Sequence, residues 1–515
     1  MLLTLLGGCM VTSVWAANLV WVLLGVNWVF EGRWREKWQM ARKSRLLQAV
    51  ATLFLLHVIG LLWTSNLHAG MHALQVSLPL LIVPLVLLTT RPATGRARQI
   101  VLFGYVGTVL VVSIIGAVRL LTIPDLPYRE AIPYISHIRF ALNCCMVVYI
   151  GALCIAGRMG NMGRAGKAGL AAITLWLLVF LVLIRSYTAF AILAVVSLAL
   201  VLTERRQRQR RVGLAAWLLL AGGTAALVAH EAKAYYRLVP QATEPLAYCT
   251  AGGRPYAHYR DGIIENGNYI NNYLCVDELR AEWPRRSQLP FDSTLADGYT
   301  VQPTLVRYLN ACGLTKDSVG LWTLTDSQIG DIERGVANPV YASRNPVRKM
   351  VYVMLLEREY YVHTHAVRGF TMLQRFELWK ATLGVIGDNL WIGVGTGDVG
   401  DELHARLQAS GSALADSGKG THNQYLAFLA AFGIAGAALL LAVFLRALLP
   451  FALRRSPLML AWLLTVLISM LTEDTLATLA GILFCTFFLA FRQPSPRPWS
   501  GANQGTATNN SQPAK

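Results

Sequence analysis

Long apolar runs recur along this chain, each about the twenty residues a helix needs to cross a bilayer. Inside lipid every backbone N–H and C=O must be satisfied within the segment, so such runs can fold only as helices. Of 515 residues 55% are hydrophobic and only 14% are charged, against roughly 25% charged in soluble globular proteins. A soluble enzyme, a disordered chain and a disulfide-rich secreted domain are thereby excluded. The expected fold class is an all-α integral membrane protein.

The runs fall at about 46–63, 73–89, 99–120, 139–157, 169–184, 188–203 and 212–230, and resume at 426–449, 458–472 and 475–491. Residues 1–30 form one full span or two tight half-spans, so the sequence predicts 11 or 12 transmembrane helices. No basic region precedes that first run, which argues against a signal peptide. Uncharged residues 64–72 are expected as a turn, and residues 450–457 as a loop. Four regions result: N-terminal transmembrane helices over 1–230, an extramembrane domain over 231–425, C-terminal transmembrane helices over 426–491, and a tail over 492–515. The tail, rich in Pro, Ser, Asn and Gln, reads as disordered.

A net charge of +18 would suit a nucleic-acid partner, but its distribution argues against one. Residues 231–425 hold 19 Lys and Arg against 21 Asp and Glu, leaving 27 against 7 elsewhere. That excess sits in short loops at 33–45, 91–98, 158–167, 205–211 and 454–455, alternating with non-basic loops. The pattern is positive-inside topology. Nucleic acid would need a basic folded face, and none is evident. The basic loops and the tail are therefore expected in the cytoplasm and the insert outside, in contact with membrane lipids.

The insert is large enough to fold as a domain and is expected to be mainly helical. Asn345 and Pro346 make a good helix start, predicting a long or broken helix over 347–386, followed by loop through the glycine-rich stretch 384–400. Cys9, Cys144, Cys145, Cys154 and Cys485 fall in spans as small core residues. Cys249, Cys275 and Cys312 lie in the insert and allow at most one disulfide. No CxxC or zinc spacing exists. His363 and His365, two apart on a helix, point to nearly opposite sides, so no metal site is expected.

A few polar residues stand where apolar ones are the rule. Arg185 lies in the corner Arg185-Ser186-Tyr187 between two spans, at the outer boundary. It is either a snorkelling residue or a phosphate ligand using its bidentate fork. Arg139, just inside a span, poses the same question. Arg368 and Arg375 share a helix face. Arg375 is either paired to Glu377 or Glu357 on the surface or a second phosphate ligand. The loop Gly393-Val394-Gly395-Thr396-Gly397 is a turn or an anion cradle of backbone N–H groups, without the Lys-Ser/Thr of a P-loop. His422 sits where the chain re-enters the membrane, in Thr421-His422-Asn423-Gln424-Tyr425. A histidine there suits either a helix cap or a general base on a lipid-linked substrate.

His422-Asn423, nine residues, then Gly433-Ile434-Ala435-Gly436 resembles the H-N-x9-G-x-x-G signature of the O-antigen ligase family. Arg375-x-x-x-Trp379 with the loop of Gly393, Gly395 and Gly397 is similar to that family's R-x-x-x-W…G-x-G-x-G region. Thr472-Glu473-Asp474 resembles its C-terminal pattern, and Arg185-Ser186 its Ser-Arg corner with the order altered. Together the motifs cover about 375–490. The insert between 238 and 367 is longer than the family's usual outer loop.

The resemblance implies a GT-C-like, inverting membrane glycosyltransferase of the bacterial inner membrane, with a periplasmic active site and neither metal nor cofactor. Its donor would be a glycan on undecaprenyl diphosphate, its acceptor a sugar hydroxyl of lipid A–core. His422 would assist deprotonation of that hydroxyl. Arg185 and Arg375, with Arg139 as substitute, would hold the diphosphate, and Asn423, Glu473 and the three glycines would support them. O-antigen polymerases and protein O-oligosaccharyltransferases share the same resemblance. A transporter is the rival from another class, but carriers place their polar groups at mid-membrane, whereas here they gather at the outer boundary.

Overall fold

The computed structural model describes residues 1–90, 95–123, 126–159, 162–236, 246–260, 264–295, 298–343, 345–364 and 371–491. Arg368, His365 and the tail lie outside the described residues. Ten helices make the first membrane part: α1 (Leu2–Thr12), α2 (Val14–Phe30), α3 (Trp34–Lys43), α4 (Arg45–Ile59), α5 (Leu67–Thr89), α6 (Gly95–Thr122), α7 (His137–Ile155), α8 (Arg164–Leu183), α9 (Tyr187–Leu202) and α10 (Gln207–Tyr236). The insert carries α11 (Val276–Glu282), α12 (Val301–Ala311), α13 (Ser318–Thr323), α14 (Asp326–Glu333), α15 (Pro339–Ala342), α16 (Pro346–Thr364), α17 (Thr371–Asp388) and α18 (Val399–Ala409). The chain closes with α19 (Gln424–Val443), α20 (Leu449–Arg455), α21 (Pro457–Ser469) and α22 (Leu479–Phe487).

The protein is an all-α multi-pass membrane protein. Among the described residues seven helical segments are long and apolar enough to cross a bilayer; α1, α9, α21 and the segment beginning with α22 are shorter apolar helices, and α2 bends by 117° into α3. With α2 they total twelve apolar segments, but only seven, or eight if bent α2–α3 is one span, are long and apolar enough to cross, against the 11 or 12 transmembrane helices expected. Residues 1–30 are two helices because Ser13 is extended and its hydroxyl accepts the Ala16 N–H, capping α2. Asn66 likewise caps α5 by accepting the Ala69 N–H, so helix replaces the turn expected over 67–72. Helix also continues through Arg455, where a loop was expected from 450.

Of the long apolar helices α7 is the most enclosed, and α10 keeps its apolar surface wholly outward. Around α7 one core gathers residues of α1, α2, α4–α9, α21 and α22. Small residues let these helices approach: a Cβ on Gly7 would meet Phe487, and one on Gly116 would meet Ile132 and Phe180.

The insert has its own core, with Leu279, Trp283, Leu305, Leu309, Leu321 and Ile332 fully buried. A two-residue hairpin, Ile264–Glu265 against antiparallel Asn268–Tyr269, sits at its edge. Buried Glu265 accepts from Arg307 Nε at 2.9 Å, Asn338 at 3.1 Å and the Tyr352 hydroxyl at 3.0 Å, fastening this domain to α16. The free thiols include Cys249, Cys275 and Cys312. The loop expected over 384–400 is shorter than its glycines suggest. Gly384 lies within α17 because the Arg406 guanidinium of α18 occupies the space of its missing Cβ, while Arg406 pairs with Asp388.

Candidate active site

The turn that leads into α19 and the turn that follows α21 are sewn together by side-chain-to-backbone bonds. Asp474 Oδ1 accepts the Thr421 hydroxyl at 2.6 Å and the Asn423 N–H at 3.1 Å; its Oδ2 accepts the His422 N–H at 2.9 Å. Gln424 donates its N–H to Met470 O at 2.9 Å and accepts the Leu476 N–H at 2.7 Å. Asn423 caps α19, accepting from the N–H groups of Tyr425 and Leu426. Its side chain is therefore spent on the helix start. His422 itself adopts φ 49°, a left-handed conformation uncommon outside glycine, and Asp474 holds it there.

Glu473 stands at the centre. Its Oε1 accepts from Arg375 Nη2 at 2.6 Å, while Oε2 lies 3.8 Å from His422 Nδ1. Arg375 and Glu473 are both buried, and the imidazole above them is one-third exposed. Burial opposes ionisation of Glu473, but His422 and the charges of Arg375 and Arg139 outweigh it, holding the carboxyl below its ordinary 4.5. The surface partners Glu377 and Glu357 that the sequence offered for Arg375 are not the ones it uses; Glu377 accepts from Ser412 instead. The Nε groups of Arg375 and Arg139 are buried and have no hydrogen-bond partner among the described residues. Such orphaned donors are costly unless a ligand meets them.

Arg185 reaches the same end of the bundle by another route. It also has positive φ, 48°, which turns the chain between α8 and α9, and Ser186 caps α9. Its guanidinium lies 5.1 Å from the Tyr128 ring centroid, and that ring meets His137, the first residue of α7, edge-on at 5.9 Å. One residue past the corner, the Thr188 and Thr472 hydroxyls are 3.0 Å apart. The corner is thus bonded to the residue preceding Glu473. On α16, burial and the nearby Arg185 charge push the Lys349 ammonium below its ordinary range. Burial raises the Glu357 carboxyl on the same helix, against the pull of the Met372 N–H and Arg129.

Gly393, Gly395 and Gly397 serve a different purpose. The α19 helix is broken at Gly433, whose φ of 61° and ψ of −168° are non-helical. The carbonyls of Ala430 and Ala431, freed by the break, accept from Val394 and Gly395, while Ile434 and Ala435 donate to Leu390 and Trp391. Thr396 donates to Gly60 O, Gly393 to Asn389 O, and Gly397 to Thr64 Oγ1. All five amides of the loop are committed to protein acceptors, so none is left to cradle an anion. A Cβ on Gly395 would lie 2.4 Å from Thr64 Oγ1, and one on Gly397 would lie 2.3 Å from Asn66 O. The glycines permit close packing against the turn before α5. A helix broken at a glycine is familiar in carriers, but here protein backbone fills the break.

Arg375, Glu473 and His422 therefore share one carboxylate, Asn423 adjoins them, and Arg139 acts on Glu473 through its charge. Arg185 is joined through the 185–188 corner, and the glycine loop is not part of the cluster. Asp474, Tyr128 and Lys349 were missed as site residues. Only Asp474 had a signal, its place in the Thr472-Glu473-Asp474 string. Among the described residues no group of three or more His, Cys, Asp and Glu could hold a metal ion.

No curated protein matches the chain. Residues 336–441 match the family model described as O-antigen ligase, and that stretch contains Arg375, the glycine loop, His422 and the Gly433 break. Over this segment the chain is similar to the O-antigen ligase family.

Proposed function

We propose that the protein transfers a glycan from undecaprenyl diphosphate to a sugar hydroxyl of lipid A–core, at the periplasmic face of the bacterial inner membrane. The observation that carries this reading is one buried carboxylate, Glu473, bonded to Arg375 on one oxygen and facing His422 Nδ1 with the other. Oriented in this way, the imidazole keeps Nδ1 toward the carboxylate and leaves Nε2 as the base. His422 Nε2 takes the acceptor hydroxyl proton as that oxygen forms its bond to the anomeric carbon. The bond from that carbon to the diphosphate oxygen breaks, and the electron pair leaves with the diphosphate. Attack from the face opposite the leaving group inverts the anomeric centre.

Arg375, Arg185 and Arg139 hold the diphosphate and stabilise the charge it gains on leaving, as fixed cations aimed at a leaving group do. The unpartnered Nε groups of Arg375 and Arg139 are donors suited to phosphate oxygens. A site at the membrane boundary lets both lipid-borne substrates stay in the bilayer.

The test uses purified protein with undecaprenyl-diphosphate glycan and lipid A–core in the presence of EDTA, comparing wild type with His422→Ala on a gel that resolves glycosylated acceptor. Transfer by wild type and its loss in the variant are expected. Lengthening of the lipid-linked glycan without use of lipid A–core would instead identify a polymerase, and transfer to Ser or Thr hydroxyls a protein O-oligosaccharyltransferase. Substrate-coupled ion flux in liposomes without any transfer would identify a carrier.

A further inference from the structure

At the other end of α7, about 28 Å from His137 for a helix of 19 residues rising about 1.5 Å each, three helix ends meet around a cavity of about 160 Å³. Arg98 enters it from the first turn of α6, Arg158 from just beyond the end of α7, and Ser456 from the start of α21. All three come from loops or helix ends in the basic set of the sequence. Leu153, Met159 and Leu458 form its apolar wall.

The electrostatics are one-sided. Arg158 is partly neutralised by Glu204 at 3.1 Å, whereas Arg98 makes no ion pair among the described residues. The N-terminus of α21, a helix of 13 residues capped by Ser456, directs the positive end of its dipole toward the same space. A paired guanidinium, an unpaired one and a helix dipole converge on a cavity whose remaining wall is hydrocarbon. That combination fits a phosphate joined to an apolar body. Basic pockets between transmembrane helices on the side of the basic loops take anionic lipid headgroups in this way.

We infer that this crevice between α6, α7 and α21 is a binding site for the phosphodiester of an anionic glycerophospholipid from the leaflet beside the basic loops. Arg98 and Arg158 ligate the phosphate, and the apolar wall meets the glycerol and upper acyl chain. The site is separate from the Glu473 cluster and does not depend on the proposed transfer reaction.

The test is native mass spectrometry of the full-length protein in detergent with added phosphatidylglycerol or phosphatidylcholine. Wild type should retain phosphatidylglycerol in preference to phosphatidylcholine. Arg98→Ala should lower that retention about tenfold, as expected for losing a charge-assisted contact to phosphate, and Arg98→Lys should restore part of it. Met159→Trp, which fills the cavity and leaves both arginines in place, should lower retention as well, so loss of binding does not depend on one variant. Each variant is first shown to elute as wild type does. Equal retention of the two lipids, or unchanged retention in Arg98→Ala and Met159→Trp, would overturn the site. Displacement of phosphatidylglycerol by millimolar inorganic phosphate, with equal affinity for both, would assign it to a free anion and overturn the lipid assignment.

Discussion

Asp474 accepts the backbone N–H of His422 at 2.9 Å while the adjacent Glu473 approaches the imidazole of the same residue at 3.8 Å. Two consecutive carboxylates thus fix the histidine, one through its main chain and one through its ring. This explains how His422 keeps a left-handed backbone without being glycine, since a non-glycine residue persists there only when its surroundings over-determine it.

Replacing Asp474 by Ala removes acceptors for Thr421, His422 and Asn423 together. The imidazole should lose its orientation, and glycan transfer should fall by about 100-fold, the scale set by roughly ångström-level misplacement of a catalytic group. The amount of folded protein in the membrane should change far less than activity. Quantitative transfer assays normalised to protein recovered by size exclusion separate the two.

Glu473 makes the site sensitive to acid. Its carboxyl titrates below the ordinary 4.5 in the folded protein, so the folded state binds the proton less readily than the unfolded chain. The stability this contributes is fully present above that ordinary value and is lost as pH falls through the lowered one. Thermal unfolding followed from pH 7 down to about pH 3 should show a steeper acid-side loss for wild type than for Glu473→Gln. The variant should also be less stable at neutral pH, because Arg375 stays buried without its counter-ion.

Lys316 gives the insert a dependence of the same sign at higher pH. It is fully buried, donates to Asn310 Oδ1 at 2.8 Å, and burial lowers its ammonium from 10.5 to about 7. The unfolded chain therefore holds this proton to a higher pH than the folded one, and stability should rise between about pH 7 and 10.5 by up to about 1.4 kcal/mol per pH unit. Hydrogen exchange of residues 301–333 in the full-length protein should show that rise. Lys316→Met should flatten it.

Gly433→Ala tests the break in α19. A Cβ there would lie 2.3 Å from the Trp391 carbonyl carbon, and the backbone conformation alone disfavours alanine by about 1–3 kcal/mol. The splice between residues 390–395 and 430–435 should open. The expected outcome is a marked loss of monodisperse protein in fluorescence-detected size exclusion, with transfer lost in proportion.

Local chemistry is why so much of the helix pattern is legible in the order of residues. The apolar runs announce α4–α10, α19, α21 and α22 because a bilayer tolerates little else, and Asn345-Pro346 announces α16. Positions were missed where a side chain acted on backbone. Asn66 and Ser13 cap helices inside stretches that hydropathy alone reads as turn or continuous span. Gly384 looked like a loop residue because no property of the glycine itself tells that Arg406 will fill its place.

The site divides along the same line. His422, Arg185, Arg139 and Glu473 stand out in sequence because a charge or imidazole next to an apolar run is costly and needs a reason, and Arg375 stands out through its Arg375-x-x-x-Trp379 string. Their partners do not stand out. Arg375 and Glu473 are 98 positions apart, and a pair that distant is joined only when α17 is brought against the turn after α21. The spacing of the glycines of 393–397 favoured a turn over an anion cradle, and the break at Gly433 supplies the acceptors for two of their loop's amides. Composition and periodicity determined that this chain crosses a membrane many times and sets Arg139, Arg185, His422 and Glu473 at the ends of apolar runs, because burial energies act on each segment separately. Which charges meet there was decided by tertiary packing, because ion pairs and backbone splices depend on distances between segments that no single stretch of sequence contains.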